Sequence, residues 1–301
     1  MTLLCEGRVA VVTGAGRGLG RAHAMALAAH GASVVVNDLG GEVDGGGASS
    51  GPADAVVEEI LGAGGVAVAS NDDCADWEGA SRIVQTAIDA FGRLDVLVAN
   101  AGVLRDRMLV NMTADDWDGV IRVHLRGTFC TAQRAAVHWR ERSKAGETVD
   151  GRLICTSSAA GLYGNIGQAN YATAKAGLAA FTTVASAELG RYGVTANAIA
   201  PAARTRMTEH LFPDAMKRPE RGFDVMAPEN VSPVVVWLAS VESRGVTGRV
   251  FEVIGGRLGI AEGWRHGPVV QQDGAFEAAE VGPAVEKLLA EAGTPTGLLG
   301  A

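Results

Sequence analysis

Cysteine is scarce in this sequence, and its few cysteines form no recognisable pattern. They are widely separated, and none belongs to a C-x-x-C motif: Cys5, Cys74, Cys130 and Cys155. Isolated thiols are typical of free cysteines in a reducing compartment. The spacing therefore disfavours a disulfide framework, and we expect no metal site.

Long hydrophobic runs and a positive net charge are also missing. No apolar run approaches the ~20 residues that cross a bilayer, and the first residues do not resemble a signal peptide. The last residues, GLLGA, carry no peroxisomal signal. The net charge of −8 disfavours nucleic acid as a partner, because phosphate binding requires a basic face. We expect a cytoplasmic protein that binds neither nucleic acids nor membranes.

Short apolar runs alternate with alanine-rich segments of helical spacing. Seven of these runs have the composition of strands that are buried on both faces: residues 8–13, 32–38, 65–70, 94–100, 151–157, 194–200 and 249–254. Gly31 and Gly92 stand where the intervening helices should end. This alternation predicts a single α/β domain of the Rossmann type, with a doubly wound, parallel, seven-stranded sheet and helices on both faces.

Three segments depart from the alternation of strands and helices. A glycine- and serine-rich loop occupies residues 39–52, and a long polar segment occupies about 203–228. The third segment is the tail after residue 257. Loops of this length are typically functional lids or disordered segments. We expect the domain to cover residues 1–257 with 203–228 as a lid, and residues 258–301 to form a C-terminal extension.

A glycine-rich stretch follows the first predicted strand and precedes a helix. It reads TGAGRGLG from Thr13 to Gly20. Glycines at such a turn let a pyrophosphate approach backbone N–H groups and the positive end of the helix. In this context the stretch predicts a dinucleotide site formed by Gly14, Gly16, Arg17, Gly18, Leu19 and Gly20.

The second predicted strand ends at Asp38, 18 residues beyond Gly20. A carboxylate at this place accepts hydrogen bonds from the ribose hydroxyls of adenosine and repels a 2′-phosphate, which favours NAD over NADP. Arg17 is the counter-argument, because a basic side chain here would bind that phosphate. We expect the carboxylate to decide the preference.

A tyrosine and a lysine stand four residues apart in YATAK, at Tyr171 and Lys175. The chain has three Tyr and four Lys, so such a pair is expected about 0.04 times by chance. Four residues place both side chains on one face of a helix. A neighbouring ammonium favours the phenolate form, which would make Tyr171 a better base.

As a set, these motifs resemble those of the short-chain dehydrogenase/reductase family. They are T-G-x-x-x-G-x-G at 13–20, ANAG at 99–102, TSS at 156–158 and Y-x-x-x-K at 171–175, and the resemblance extends over roughly residues 6–257. Within the family, GLYGNIGQANYATAKAGL and DWDGVIRVHLRGTF resemble the branch of (3R)-hydroxyacyl-CoA dehydrogenase domains from peroxisomal multifunctional enzymes of type 2 and their stand-alone bacterial relatives.

The resemblance implies catalytic roles for several residues. Tyr171 would be the general acid/base, and Lys175 would support it and bind the nicotinamide ribose. Ser158, or its neighbour Ser157, would hold the substrate oxygen. His124 stands where most of the family has an asparagine that completes a proton relay, and either a relay or a structural role is open to it.

The resemblance also implies further cofactor contacts. Asp73, with Asp72 as a rival, would contact the adenine, and the nicotinamide side would be lined by Asn100, Ala101, Gly102, Pro201 and Thr205. Ala202 replaces the glycine of the family's turn after that proline.

Three functions follow from the resemblance and the residues. The first is NAD-dependent oxidation of a (3R)-3-hydroxyacyl-CoA. Apolar residues of the lid would then accommodate the acyl chain: Met207, Leu211, Phe212, Met216 and Phe223. Basic residues of the lid would accommodate the CoA: Arg204, Arg206, Lys217, Arg218 and Arg221. The second is a 17β-hydroxysteroid dehydrogenase that acts on a free steroid. The third is a catalytically silent NAD-binding scaffold or sensor. The alanine-rich segment 174–190 would allow packing into a homodimer or homotetramer.

Overall fold

A sheet of eight strands forms the centre of the computed structural model, which describes residues 3–47, 49–209, 214 and 216–293. The described strands are β1 Val9–Thr13, β2 Ser33–Asn37, β3 Val66–Ser70, β4 Val96–Ala99, β5 Gly151–Thr156, β6 Val194–Ala202, β7 Val250–Ile254 and β8 Arg257–Ala261. Their spatial order is β3-β2-β1-β4-β5-β6-β7-β8. The first seven are parallel, which confirms the predicted doubly wound sheet.

The eighth strand was not predicted, so the expected count of seven is wrong by one. β8 pairs antiparallel with β7 across a tight turn at Gly255, whose φ of +52° lies in the left-handed region. Leu258 and Ile260 on this edge strand are exposed. The usual signal of a strand buried on both faces is therefore absent here.

Helices cover both faces of the sheet, as predicted. The described helices are α1 Gly18–Ala29, α2 Gly51–Gly62, α3 Trp77–Phe91, α4 Ala114–Ile121, α5 Gly127–Lys144, α6 Ala159–Tyr163, α7 Ala169–Leu189, α8 Arg206–Glu209, α9 Ser232–Ala239 and α10 Ala278–Glu291. In the described part of the chain, no helix has the length and apolar character needed to cross a membrane.

The first seven strands of the sheet supply side chains to two separate cores. Along β1, Ala10 and Val12 pack with residues of α1, α2 and α9, while Val9 and Val11 pack with residues of α3 and α5. Successive side chains of a strand point to opposite faces. This is why the inner strands are continuously apolar in sequence.

The chain divides into two compact units, Met1–Ala261 and Glu262–Ala301. The first unit contains the whole sheet and ends with β8. The second contains α10, which begins with a capping box in which Glu277 and Glu280 each accept a hydrogen bond from the other's backbone N–H.

Parallel pairing brings the carboxyl ends of the strands to one edge of the sheet. Thr13 of β1 lies beside Asn37 of β2, and Ala99 of β4 lies beside Cys155 of β5. The glycine-rich stretch, Asn100 and Ser158 each follow directly after one of these strands. Sites in doubly wound sheets form at this edge, where the strand order reverses between β1 and β4.

At the opposite edge of the sheet, where the strands begin, three arginines donate hydrogen bonds to the carboxylate of Asp150. Arg8, Arg152 and Arg244 place guanidinium nitrogens 2.8, 3.0 and 3.1 Å from Asp150. Burial acts to raise the pKa of Asp150, but hydrogen bonds from Arg244, Arg8 and Arg152 outweigh it and lower that pKa to about 2. Arg152 is only 1% exposed, so its charge depends on Asp150 for compensation.

We predict that Asp150→Asn lowers the free energy of unfolding at neutral pH by about 3 kcal/mol, because it leaves buried guanidinium charge uncompensated. Denaturant unfolding measures the change, and Glu59→Gln serves as the control. The ion pair of Glu59 with Arg21 is exposed, and its loss should cost less than about 1 kcal/mol. Equal effects of the two variants would contradict the prediction.

The same variant has an expected pH dependence. Because the pKa of Asp150 is lower in the folded chain, its stabilisation is complete above the ordinary value of 3.8 and is lost as the pH falls towards about 2. The difference in unfolding free energy between wild type and Asp150→Asn should therefore shrink across that window.

Candidate active site

The glycine-rich stretch between β1 and α1 forms a turn that only glycine fits. Gly14 and Gly18 have φ angles of +64° and +53°. A Cβ on Gly20 would lie 2.1 Å from the carbonyl oxygen of Gly14, and one on Gly16 would lie 2.8 Å from Asp38 Oδ2. The glycine positions of the turn therefore carry no side chain at the N-terminus of α1, which suits the close approach of a phosphate group.

Asp38 is fixed against this turn by backbone hydrogen bonds. Its Oδ2 accepts from the N–H of Gly16 at 2.8 Å, and its Oδ1 accepts from the N–H of Gly40 at 2.7 Å. Each oxygen keeps a further lone pair for a ribose hydroxyl. Arg17 is exposed and donates only a long hydrogen bond, 3.3 Å, to the carbonyl of Gly41.

Asn100 joins the end of β4 to the glycine-rich turn. Its Nδ2 donates to the carbonyls of Thr13 and Gly14 at 3.0 and 3.2 Å. The hydroxyl of Thr13 accepts from the backbone N–H groups of Asn100 and Ala101 at 3.0 and 3.1 Å. Thr13 begins the glycine-rich motif, and this link between β1 and β4 was not predicted for it.

The two aspartates after β3 are both engaged with arginines. Asp73 accepts from Arg122 at 2.5 Å and from the N–H of Ala75 at 2.8 Å. Asp72 accepts from Arg82 at 2.6 Å. Both carboxylates are fixed near the end of β3, and the geometry does not separate the two candidates for an adenine contact.

Ser157 and Ser158 have different surroundings. The hydroxyl of Ser157 is 1% exposed and donates to the carbonyl of Lys175 at 2.8 Å, so it ties β5 to α7. Ser158 is half-buried at the start of α6, where its Oγ accepts from the N–H of Ala160 at 3.2 Å. Its hydroxyl proton stays available to a second group, which favours Ser158 as the predicted substrate contact.

Lys175 is buried behind Tyr171 on α7. Its Nζ donates to the carbonyl of Thr156 at 2.6 Å and lies 5.5 Å from the centre of the Tyr171 ring. Burial lowers the pKa of Lys175 to about 7. The ammonium is therefore a weaker source of positive charge than a solvated lysine.

The pKa of Tyr171 is not lowered, although the neighbouring ammonium of Lys175 was expected to favour the phenolate form. Burial raises the pKa of Tyr171 above its ordinary value, a hydrogen bond with Ser158 lowers it, and the charge of Asp106 raises it further. In the chain alone, burial thus outweighs any effect of Lys175. The expected lowering requires an additional positive charge, such as an oxidised nicotinamide ring.

His124 lies on a π-helical turn, Arg122–Arg126, between α4 and α5. Its Nε2 is 2.8 Å from the carbonyl oxygen of Val103, and its ring meets that of Tyr171 edge to face at 5.1 Å. Burial and the charge of Lys175 lower the pKa of His124 well below its usual range. The neutral ring leaves a buried Nδ1 without a hydrogen-bond partner among the described residues.

The imidazole of His124 lies directly against Gly102, beside Tyr171, in the space that a side chain at position 102 would need. A Cβ on Gly102 would lie 2.4 Å from His124 Cε1. The glycine of ANAG therefore makes room for the imidazole, which links the turn after β4 to the residues around Tyr171.

Thr205 and Pro201 close the site on the side of β6. A Cβ on Gly18 would be 3.5 Å from Thr205 Cγ2, so the threonine lies against the glycine-rich turn. Pro201 is half-buried within β6, beside Val253 of β7. β6 continues through Ala202, two residues beyond its predicted end, where a glycine turn was in question.

Three arginines of the predicted lid are already paired, and one of them is Arg218, which lies 3.7 Å from Asp224. Arg204 forms an ion pair with Asp224 and donates to the carbonyl of Met216 at 3.0 Å, while Arg206 lies 3.6 Å from Glu42. The expectation that Arg204 serves a CoA group is not supported by this pairing, which joins the two ends of the segment. Leu211 and Phe212, expected to line it, lie outside the described residues.

The arrangement fits a nicotinamide dinucleotide. Close packing requires glycine at 14, 16 and 20, since a Cβ there would collide with Ala101, Asp38 or the Gly14 carbonyl. The turn therefore keeps its backbone N–H groups uncovered by side chains at these positions, and Asp38 stands where an adenosine ribose follows the phosphates.

Comparison with known proteins assigns the family. Residues 8–215 match the model described as short chain dehydrogenase. The chain is 47% identical over 256 residues to the hydroxyacyl-CoA dehydrogenase ChsB1 of Mycobacterium tuberculosis, which covers 83% of this chain and 78% of that protein. A crystal structure of a short chain dehydrogenase from Mycobacterium avium superposes with a TM-score of 0.89 at 55% identity, over 99% of this chain and 100% of that one.

A longer relative contains a similar domain. The chain is 45% identical over 254 residues to the peroxisomal multifunctional enzyme type 2 of Mus musculus, covering 84% of this chain and 32% of that protein. The chain therefore spans about a third of the longer protein. It belongs to the short-chain dehydrogenase family, as an oxidoreductase of CH–OH groups that uses a nicotinamide cofactor, NAD or NADP.

Proposed function

We propose that the chain interconverts a (3R)-3-hydroxyacyl-CoA and its 3-oxo form with NAD. The observation that carries the proposal is the convergence of Ser158, Tyr171 and Lys175 at the carboxyl end of β5. The name of the Mycobacterium tuberculosis relative, a hydroxyacyl-CoA dehydrogenase, supports the substrate class.

In the proposed mechanism, Tyr171 takes the proton of the substrate hydroxyl, and Ser158 donates a hydrogen bond to the same oxygen. A nicotinamide held at the glycine-rich turn would supply the acceptor for the hydride of the carbinol carbon. Reducing the pKa of a tyrosine from ~10 to near 7 requires about 4 kcal/mol of differential stabilisation. Burial raises the pKa of Tyr171 in the chain alone, so Lys175 would need the positive charge of an oxidised cofactor beside it to lower that pKa.

His124 has a place in this proposal as a proton relay. Its imidazole is neutral, and its unpartnered Nδ1 is buried beside Tyr171 and Lys175. Such an acceptor suits a bound water that passes a proton between Lys175 and solvent. The π-helical turn that holds His124 is a distortion often found at functional sites.

We predict that Tyr171→Phe abolishes turnover, with a loss of at least about 1,000-fold in kcat, while the affinity for NADH is retained. The ring stays, but the group that accepts the proton is gone. Tyr192→Phe, beyond the other end of α7, is the control and should keep full activity. Normal turnover by Tyr171→Phe would refute the mechanism.

The preference for NAD depends on Asp38 in this proposal. We predict that Asp38→Ala lowers the ratio of kcat/KM with NAD to kcat/KM with NADP by about 10-fold or more, because the carboxylate no longer repels a 2′-phosphate. Asp44→Ala, in the loop that follows, is the matched control. If the ratio is the same in wild type and Asp38→Ala, the carboxylate has no part in cofactor choice.

The substrate class is tested by a direct comparison of two alcohols. Lys217 and Arg221 in the predicted lid are exposed and remain available to the phosphates of CoA, whereas Arg218 lies 3.7 Å from Asp224. We therefore predict a kcat/KM for a (3R)-3-hydroxyacyl-CoA that exceeds that for a free 17β-hydroxysteroid by about 100-fold or more. The reverse order would assign the chain to steroid oxidation, and no activity with either would favour a silent NAD-binding role.

We also propose that copies of the chain associate through α5 and α7 as a homodimer or homotetramer. Phe129 on α5 and Val184 on α7 are 47% and 55% exposed. The alanine-rich segment of α7 would let a second helix approach closely. Sedimentation equilibrium measures the number of subunits.

A further inference from the structure

Asp106 lies in the loop after β4, and only one of its two carboxylate oxygens has a hydrogen-bond partner among the described residues. Its Oδ2 accepts a hydrogen bond from Gln168 Nε2 at 2.8 Å. Its Oδ1 is buried, yet it has no hydrogen-bond partner among the described residues. Because a buried polar atom without a partner is costly, such a group in a folded protein calls for an explanation.

The loop that holds Asp106 is fastened to the residues directly before Tyr171. The N–H of Arg107 donates to the carbonyl of Gly167 at 2.8 Å, and Asn170 Nδ2 donates to the carbonyl of Arg105 at 3.0 Å. Asn170 Oδ1 in turn accepts from the N–H of Tyr171 at 2.8 Å. These bonds fix Asp106 relative to the first turn of α7.

Few other charged or titratable groups surround the phenol. Lys175 lies one turn along the same helix, neutral His124 meets the ring from the π-helical turn, and the Ser158 hydroxyl faces it from α6. Arg107 is exposed, and its guanidinium donates to the backbone carbonyl of Asp106 rather than to its carboxylate. Gln168, which donates to the Asp106 carboxylate, lies three residues before Tyr171, so the carboxylate is held beside the first turn of α7 and its negative charge acts on the phenol from there.

We propose that Asp106 is a positioning residue that keeps Tyr171 in its phenol form until a positively charged nicotinamide arrives. The loop holds the unpaired oxygen at a fixed place, where its negative charge opposes a phenolate. This inference rests on the proposed role of Tyr171 as the acid/base. Its effect is that the tyrosine ionises in the presence of the oxidised cofactor rather than in the free chain.

The direct test is an ultraviolet titration of the phenolate in the protein without cofactor. The chain has three tyrosines, and subtraction of the Tyr171→Phe titration isolates Tyr171. The nearly isosteric Asp106→Asn should move the midpoint to lower pH by about one pH unit, because a like charge has been removed. Asp115→Asn on α4, an exposed aspartate, is the control and should leave the midpoint unchanged.

A second variant separates charge from loop structure. Gln168→Met removes the donor to Asp106 Oδ2 but keeps the carboxylate, so the midpoint should stay or rise. A fall similar to that in Asp106→Asn would mean that loosening of the loop, and not its charge, controls Tyr171, and would overturn the proposal. Asp106→Ser removes the charge by a different change and serves if the asparagine variant does not fold.

The kinetic counterpart is the acidic limb of kcat/KM for alcohol oxidation, which should move to lower pH by the same amount in Asp106→Asn. An unchanged titration midpoint in both charge-removing variants refutes the role of Asp106 whatever the kinetics show. By contrast, retained turnover in Tyr171→Phe refutes the acid/base assignment itself, while the titration still reports the influence of Asp106 on the phenol.

Discussion

The hydrogen bonds between Asn100 and β1 are the constraint on which the site depends. They close the gap at the point where the strand order reverses, between β1 and β4. The glycine-rich turn and Asp38 lie on one side of this link, and Ser158 and Tyr171 lie on the other. Without it, the two sets of residues would be attached to neighbouring strands but not held at a fixed separation. Thr13 strengthens the same link through its hydroxyl.

Burial dominates the electrostatics of the site. It raises the pKa of Tyr171, lowers that of Lys175 to about 7 and keeps His124 neutral. Each shift favours the uncharged form, as expected for groups removed from water. A charged cofactor entering this environment acts through a low dielectric constant, so its effect on neighbouring groups is larger than it would be in water.

The inner strands could be predicted because each is buried on both faces and is therefore continuously apolar. The glycine-rich turn could be predicted because its glycines stand between a predicted strand and a predicted helix. β8 was missed because its side chains are partly exposed. The family's spacing favoured Ser158 over Ser157, but the hydrogen bond that engages the Ser157 hydroxyl depends on the position of α7, which the sequence does not give. Asp106 and Gln168 were overlooked because polar loop residues follow no periodicity. The pairing of Arg204 with Asp224 depends on how residues 203–228 fold back, which composition does not reveal.

The close contact between Gly102 and the His124 imidazole restricts the order in which these two positions can be substituted during evolution. Any side chain at position 102 would collide with the imidazole at 2.4 Å, so a substitution there is accessible only after position 124 has become smaller or has moved. The reverse order creates no such collision, because a smaller residue at 124 leaves the glycine undisturbed. The two positions are therefore sterically coupled in one direction only.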